Sequence, residues 1–153
     1  LWTVLCVLFA GASLGSGLYS RNYQQNHLPG EDADALVQSY FLLEDATLQL
    51  TNIQSGENPQ KSLGNIHEIT SRLASYGARR ASLGIAEDGQ TLLNRHFATL
   101  KELGINLNSQ TLEDLQNGAT ADGYLADIQR VQESQSEVFK RFSVNEEALM
   151  KKK

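Results

Sequence analysis

Four arginines carry the strongest chemical signal in this chain. Arg72 and Arg79 are seven residues apart on one face of a helical stretch, Arg80 adjoins them, and Arg95 lies in the stretch that follows. If those stretches fold back on each other near residues 84–89, Arg79 or Arg80 comes close to Arg95. Guanidinium groups gathered in this way bind a carboxylate or another small anion bidentately. The competing use is pairing along the helix, since Glu68 precedes Arg72 by four residues, the favourable order for an ion pair.

Nothing else in the sequence has the spacing of a reactive centre. His27, His67 and His96 are far apart, and His67-Glu68 lacks the partner four residues on that a metal-binding helix needs. There is no His-Glu-x-x-His box and no Glu-x-x-His pair of the kind that holds two irons in a helical bundle. The histidines are expected on the surface. Acidic neighbours occur at Glu44-Asp45, Glu87-Asp88, Glu113-Asp114 and Glu146-Glu147. On a helix such neighbours point about 100° apart, so they serve as caps and solvated faces rather than as a proton-sharing pair. A glycine-rich phosphate loop, a Ser/His/Asp set and a Cys/His set are all missing. The sequence predicts no catalytic residue, no metal and no cofactor, and hence no enzyme.

The net charge of −5 argues against a nucleic-acid surface. The single cysteine, Cys6, lies in an apolar stretch, so the remaining residues must fold without a disulfide.

That stretch sets the placement of the whole. Residues 1–20 contain no charged side chain, and the next residue is Arg21. Leu1 to Tyr19 as a helix would be about 29 Å long, close to the roughly 30 Å of a bilayer's hydrocarbon core. Trp2 and Tyr19 would lie near the two interfaces and Arg21 would reach headgroups. Gly11 and Gly15 form a GxxxG pair, which Ser13 and Gly17 repeat, and small residues so spaced let two membrane helices approach closely. Residues 1–20 are therefore expected to be a transmembrane anchor that dimerises through Gly11 and Gly15. The rival reading is a signal segment cleaved after Ala10-Gly11-Ala12.

Beyond a polar linker at 21–30, residues 31–150 read as one helical domain. Both prolines fall in loops, and no strand-like alternation is sustained. Glu31, Asp32 and Asp34 crowd a helix start, where carboxylates favour the positive end of the dipole. The first stripe is Leu36, Tyr40, Leu43 and Leu50, widened by Phe41 and Leu48, ending near Ser55-Gly56-Glu57. Asn58-Pro59 opens the second, with Leu63, Ile66, Ile69, Leu73 and Tyr76, running on to between Leu83 and Ala86. After a turn at Asp88-Gly89 the third carries Leu92, Leu93, Phe97, Leu100 and Leu103, with Gly104 as its C-terminal cap. A short helix around Leu112 and Leu115 precedes the fourth, capped by Asp122, whose stripe is Tyr124, Ile128, Val131, Gln135, Val138 and Phe142. Ser143-Val144-Asn145-Glu146 fits a capping box for a last turn. Four striped helices on short connectors predict an all-α chain: a transmembrane helix followed by an up-down four-helix bundle.

This layout resembles the extracytoplasmic four-helix-bundle sensor domains of bacterial chemoreceptors and sensor kinases. The similarity covers the anchor and residues 31–142. Arg72-Leu73-Ala74-Ser75-Tyr76-Gly77-Ala78-Arg79-Arg80 is similar to the Arg- and Ala-rich helices of such sensors. The resemblance implies a homodimer crossing the bacterial inner membrane, with a periplasmic bundle that senses a ligand; the arginines would make that ligand a small anion. Such receptors add a second membrane helix and an output domain, so a chain ending at Lys153 is expected to be either a fragment of one or not a receptor. The alternative expectation is a non-catalytic, membrane-anchored accessory or scaffold subunit of a cell-envelope complex of the secretion or pilus type.

Overall fold

The computed structural model describes residues 2–151, and of the first five side chains it describes only that of Thr3. The described residues form seven helices and no strand: α1 (Trp2–Asn26), α2 (Gly30–Ser55), α3 (Pro59–Gly77), α4 (Glu87–Asn108), α5 (Leu112–Gln116), α6 (Gly118–Arg141) and α7 (Glu146–Met150). The four long helices after α1 close into a ring in which α2 neighbours α3, α3 neighbours α4, α4 neighbours α6, and α6 returns to α2.

Polar contacts fix the antiparallel sense of every pair. Arg79 beyond α3 reaches Asp32 near the start of α2, and Asn65 near the start of α3 donates to Gln49 late in α2. His67 near the start of α3 meets the Gln110 carbonyl just beyond α4. The start of α4 is joined to the end of α6 by Asp88 and Arg141, whose guanidinium makes bonds of 2.7 and 3.1 Å. Gln54 at the end of α2 donates to Asp122 in the first turns of α6.

The expected stripes are the core. Leu36, Leu43, Leu50, Ile66, Leu73, Leu93, Phe97, Leu100 and Val138 are wholly buried. They fall into two apolar clusters, one at each end of the bundle. Between these lies a polar layer: Gln135 on α6 donates to the Leu36 carbonyl and to Ser39 Oγ on α2, at 3.1 and 3.0 Å.

Several boundaries differ from the sequence expectation, each for a local reason. Gly104 is not a cap. It lies inside α4, where an added Cβ would stand 2.7 Å from the Ala74 nitrogen and 2.8 Å from the Thr70 carbonyl oxygen of α3. Gly77 plays the same part from the other side, against the Phe97 carbonyl oxygen at 2.6 Å. Two glycines thus let α3 and α4 touch backbone to backbone, and α4 continues to Asn108. The second helix ends at Gly77, well short of Leu83, because the chain there is drawn off towards α2 and α4. Ser82 N–H donates to Asp32 and Ala81 N–H to Asn94 Oδ1. Gly89 is not a turn but a first-turn residue of α4 packed under Phe142. Asp122 lies within α6; the cap is Asn117, whose side chain accepts from Ala119 and Thr120. A last turn forms, but its cap is Asn145, whose side chain accepts from Ala148 N–H, and not Ser143 of the expected box. Gly56 takes a left-handed φ of 76° to close α2. Leu48, expected on the buried face, is exposed.

α1 stands apart from the ring. Its described side chains from Cys6 to Gln24 are all exposed, among them Val7, Leu8, Phe9, Leu14 and Leu18. The segment expected as a linker continues this helix to Asn26, and the break falls at His27–Pro29. No helix among the described residues is long and apolar enough to cross a membrane. The predicted span begins at Leu1, and Leu1 together with the side chains of Trp2, Val4 and Leu5 lies outside the described residues. So do Lys152 and Lys153.

Candidate functional site

The four arginines do not converge. Arg79 Nη2 lies 3.3 Å from Glu31 and 3.4 Å from Asp32, so its charge is answered by the first turn of α2. Arg95 lines an open hollow with Glu87, Asp88, Thr91 and Leu92, and neither Arg79 nor Arg80 contributes to it. Asp88 in that hollow is bound by Arg141, which holds its carboxyl below the usual carboxylate range. Arg72 and Arg80 are exposed, and among the described residues Arg72, Arg80 and Arg95 have no ion-pair or hydrogen-bond partner. Arg72 thus does not use Glu68. Gly11 and Gly15 are open, with nothing within 4 Å of where a Cβ would stand.

A more enclosed concavity lies among residues that carry no chemical signal in the sequence. Between α4 and α6 is a cleft of about 300 Å³. From α4 come Thr99, Glu102, Leu103 and Asn106, spaced by three, one and three along one face. α6 supplies Tyr124, Asp127, Arg130, Val131 and Ser134. Leu103 and Val131 are core residues and form an apolar floor. The Tyr124 hydroxyl donates to the Asn106 carbonyl oxygen at 3.2 Å, which ties its ring across the cleft. Burial raises the Tyr124 hydroxyl above its ordinary range, and the carboxylates of Asp127 and Asp114 raise it further. Arg130 is paired with Asp127 on its own helix. Glu102 is exposed and has no partner among the described residues.

Behind this cleft lies His96. It is fully buried, against the expectation of a surface histidine. Its position three residues after Leu93 and four before Leu100 places it on the core stripe. Nδ1 sits 3.2 Å from Oγ of Ser134, which also lines the cleft. Nε2 has no partner among the described residues, and neither has Oε1 of Gln135. Burial pushes the His96 pKa down to about 4, so the ring is neutral at pH 7.

Among the described residues no group of three or more His, Cys, Asp or Glu could hold a metal ion. The spacing on α4 and α6 could have drawn attention to the cleft faces, because Thr99, Glu102 and Asn106 flank the core stripe on one side only. What the spacing does not reveal is that the two helices leave room between them.

No protein-family profile, no curated protein and no solved structure matches this chain.

Proposed function

We propose that this chain is a membrane-anchored, extracytoplasmic helical-bundle input module of a bacterial signalling receptor, held in the inner membrane by α1 with the bundle in the periplasm. The observation that carries this reading is the contrast between α1 and the bundle. The bundle hides its apolar stripes, whereas α1 leaves Val7, Leu8, Phe9, Leu14 and Leu18 two-thirds or more exposed. Successive helix positions step by about 100°, so Val7, Leu8 and Phe9 face three directions around the axis. One flat protein partner does not cover them, and a hydrocarbon surround does. The uncharged part of α1, Trp2 to Ser20, is about 28 Å long, close to a hydrocarbon core of about 30 Å.

The junction suits transmission between bundle and anchor. The Gln25 carbonyl accepts from Ala86 N–H at 3.1 Å, just before α4. Asn26 Oδ1 accepts from Arg141 at the end of α6, at 3.3 Å. A shift of α4 against α6 is therefore felt directly at the end of α1. Two copies meet through Gly11 and Gly15, whose open faces allow close approach of two helices.

A second reading, a non-catalytic accessory or scaffold subunit of an envelope complex, draws support from Arg79. Its engagement by Glu31 and Asp32 takes the central member out of the expected anion site.

Cys6, the only cysteine, is exposed on α1 and gives a direct test. An environment-sensitive fluorophore on Cys6 should shift to the blue when lipid vesicles are added. Replacing Gly11 and Gly15 with Ile should separate the copies in the bilayer without reversing that shift. An unchanged spectrum would remove the anchor.

A further inference from the structure

We propose that the α4–α6 cleft is a binding site for a small organic cation, a protonated amine carrying an apolar body. For its role this rests on the input-module reading; its chemistry stands on the cleft alone.

The floor of Leu103 and Val131 offers apolar surface to a hydrocarbon or aromatic body, and the Tyr124 ring adds an aromatic face on which an ammonium group is attracted. The charges around the cleft select the sign of the ligand. Glu102 is unpaired, while Asp127 already answers Arg130, so the residual charge is negative. A ligand carboxylate would have to displace Asp127 from Arg130 and would still face Glu102. An ammonium group finds Glu102 free to accept a charge-assisted hydrogen bond, with the Asn106 side chain beside it.

The position also explains how such a ligand would act. Its walls are α4 and α6, the two helices at whose ends α1 is tied through Gln25 and Asn26. A molecule wedged between them biases their separation, and that bias is applied at the root of the anchor.

The test uses the full chain in detergent micelles, titrated with 2-phenylethylamine, which is protonated at neutral pH, and with 3-phenylpropionate as the anionic counterpart. Melting temperature and the amide resonances of α4 and α6 are followed. The amine should raise the melting temperature at millimolar concentration and shift resonances around Asn106 and Tyr124, while the carboxylate should do neither. Glu102→Gln, at an exposed position, should keep the fold and weaken the amine about tenfold, the loss expected for one charge-assisted contact. Thr99→Trp, which fills the cleft, should abolish the amine effect. Absence of any amine effect, equal binding of the carboxylate, or undiminished amine binding by Glu102→Gln would overturn the proposal. None of these outcomes bears on vesicle binding by α1, so the two readings fail separately.

Discussion

Arg79, just beyond α3, holds its Nη2 3.4 Å from Oδ1 of Asp32, a carboxylate the fold hides completely. The other carboxylate oxygen accepts Ser82 N–H at 3.0 Å. A residue expected to bind a ligand thus neutralises a buried charge at the start of α2. Arg79→Ala should cost about 3 kcal/mol, the low end for breaking a buried pair, because the Arg79 side chain is itself 30% exposed. Asp32→Asn in the same background should recover part of that loss. Urea unfolding of the two variants decides the matter; equal stability of Arg79→Ala and the parent would deny Asp32 its partner.

The α3–α4 contact depends on Gly104 and Gly77. A methyl group at position 104 meets backbone atoms of Thr70 and Ala74, which cannot rotate away. Gly104→Ala should lower stability by about 2 kcal/mol, even though Ala gains about 1 kcal/mol over Gly as a helix former. Stabilisation of the variant in thermal melts would mean that α3 and α4 lie further apart.

His96 makes stability depend on pH. Its folded pKa of about 4 lies below the ordinary 6.5, so the unfolded chain takes up a proton that the folded chain refuses. The contribution of the neutral ring is complete above pH 6.5 and is lost as pH falls towards 4. The loss is on the order of 3 kcal/mol. Unfolding curves at pH 7 and pH 4.5 should show this decline, and His96→Leu should flatten it. An unchanged slope in His96→Leu would place the titration elsewhere.

Arg72, Arg80 and Arg95 are exposed and, among the described residues, unpaired, so replacement of each by Ala should change the unfolding free energy by no more than about 0.5 kcal/mol. Should small carboxylates stabilise the parent and not the triple variant, the anion site is real and depends on these three arginines. Should no anion stabilise the parent, these arginines are ordinary surface.

The bundle was legible because its signal is periodic: Leu36, Leu43 and Leu50, or Ile66, Ile69 and Leu73, repeat at the helical period and are the buried residues. Glycine was not, because Gly104 before Ile105 carries the same local signal whether it ends a helix or admits a neighbouring backbone. His96 is of a residue type that predicts a surface position, yet Leu93 and Leu100 bracket it on the core stripe and it is buried. The cleft residues lie beside the stripes, where periodicity is silent, and only the spacing between α4 and α6 makes them a site. Arg79 and Arg95 share a helix-turn-helix in sequence, but Asp32 lies nearly fifty residues away along the chain, and no local pattern announces that partner.

The most direct test of membrane attachment is flotation of the full chain on a sucrose gradient with vesicles of bacterial phospholipid. The chain should rise with the vesicles and resist extraction by high salt, because apolar residues of α1 rather than surface charge hold it. Leu8→Glu together with Leu14→Glu, both on exposed α1 positions that leave the bundle untouched, should keep it at the bottom. If the parent stays at the bottom, or if the doubly charged variant floats as well as the parent, α1 is not a membrane anchor.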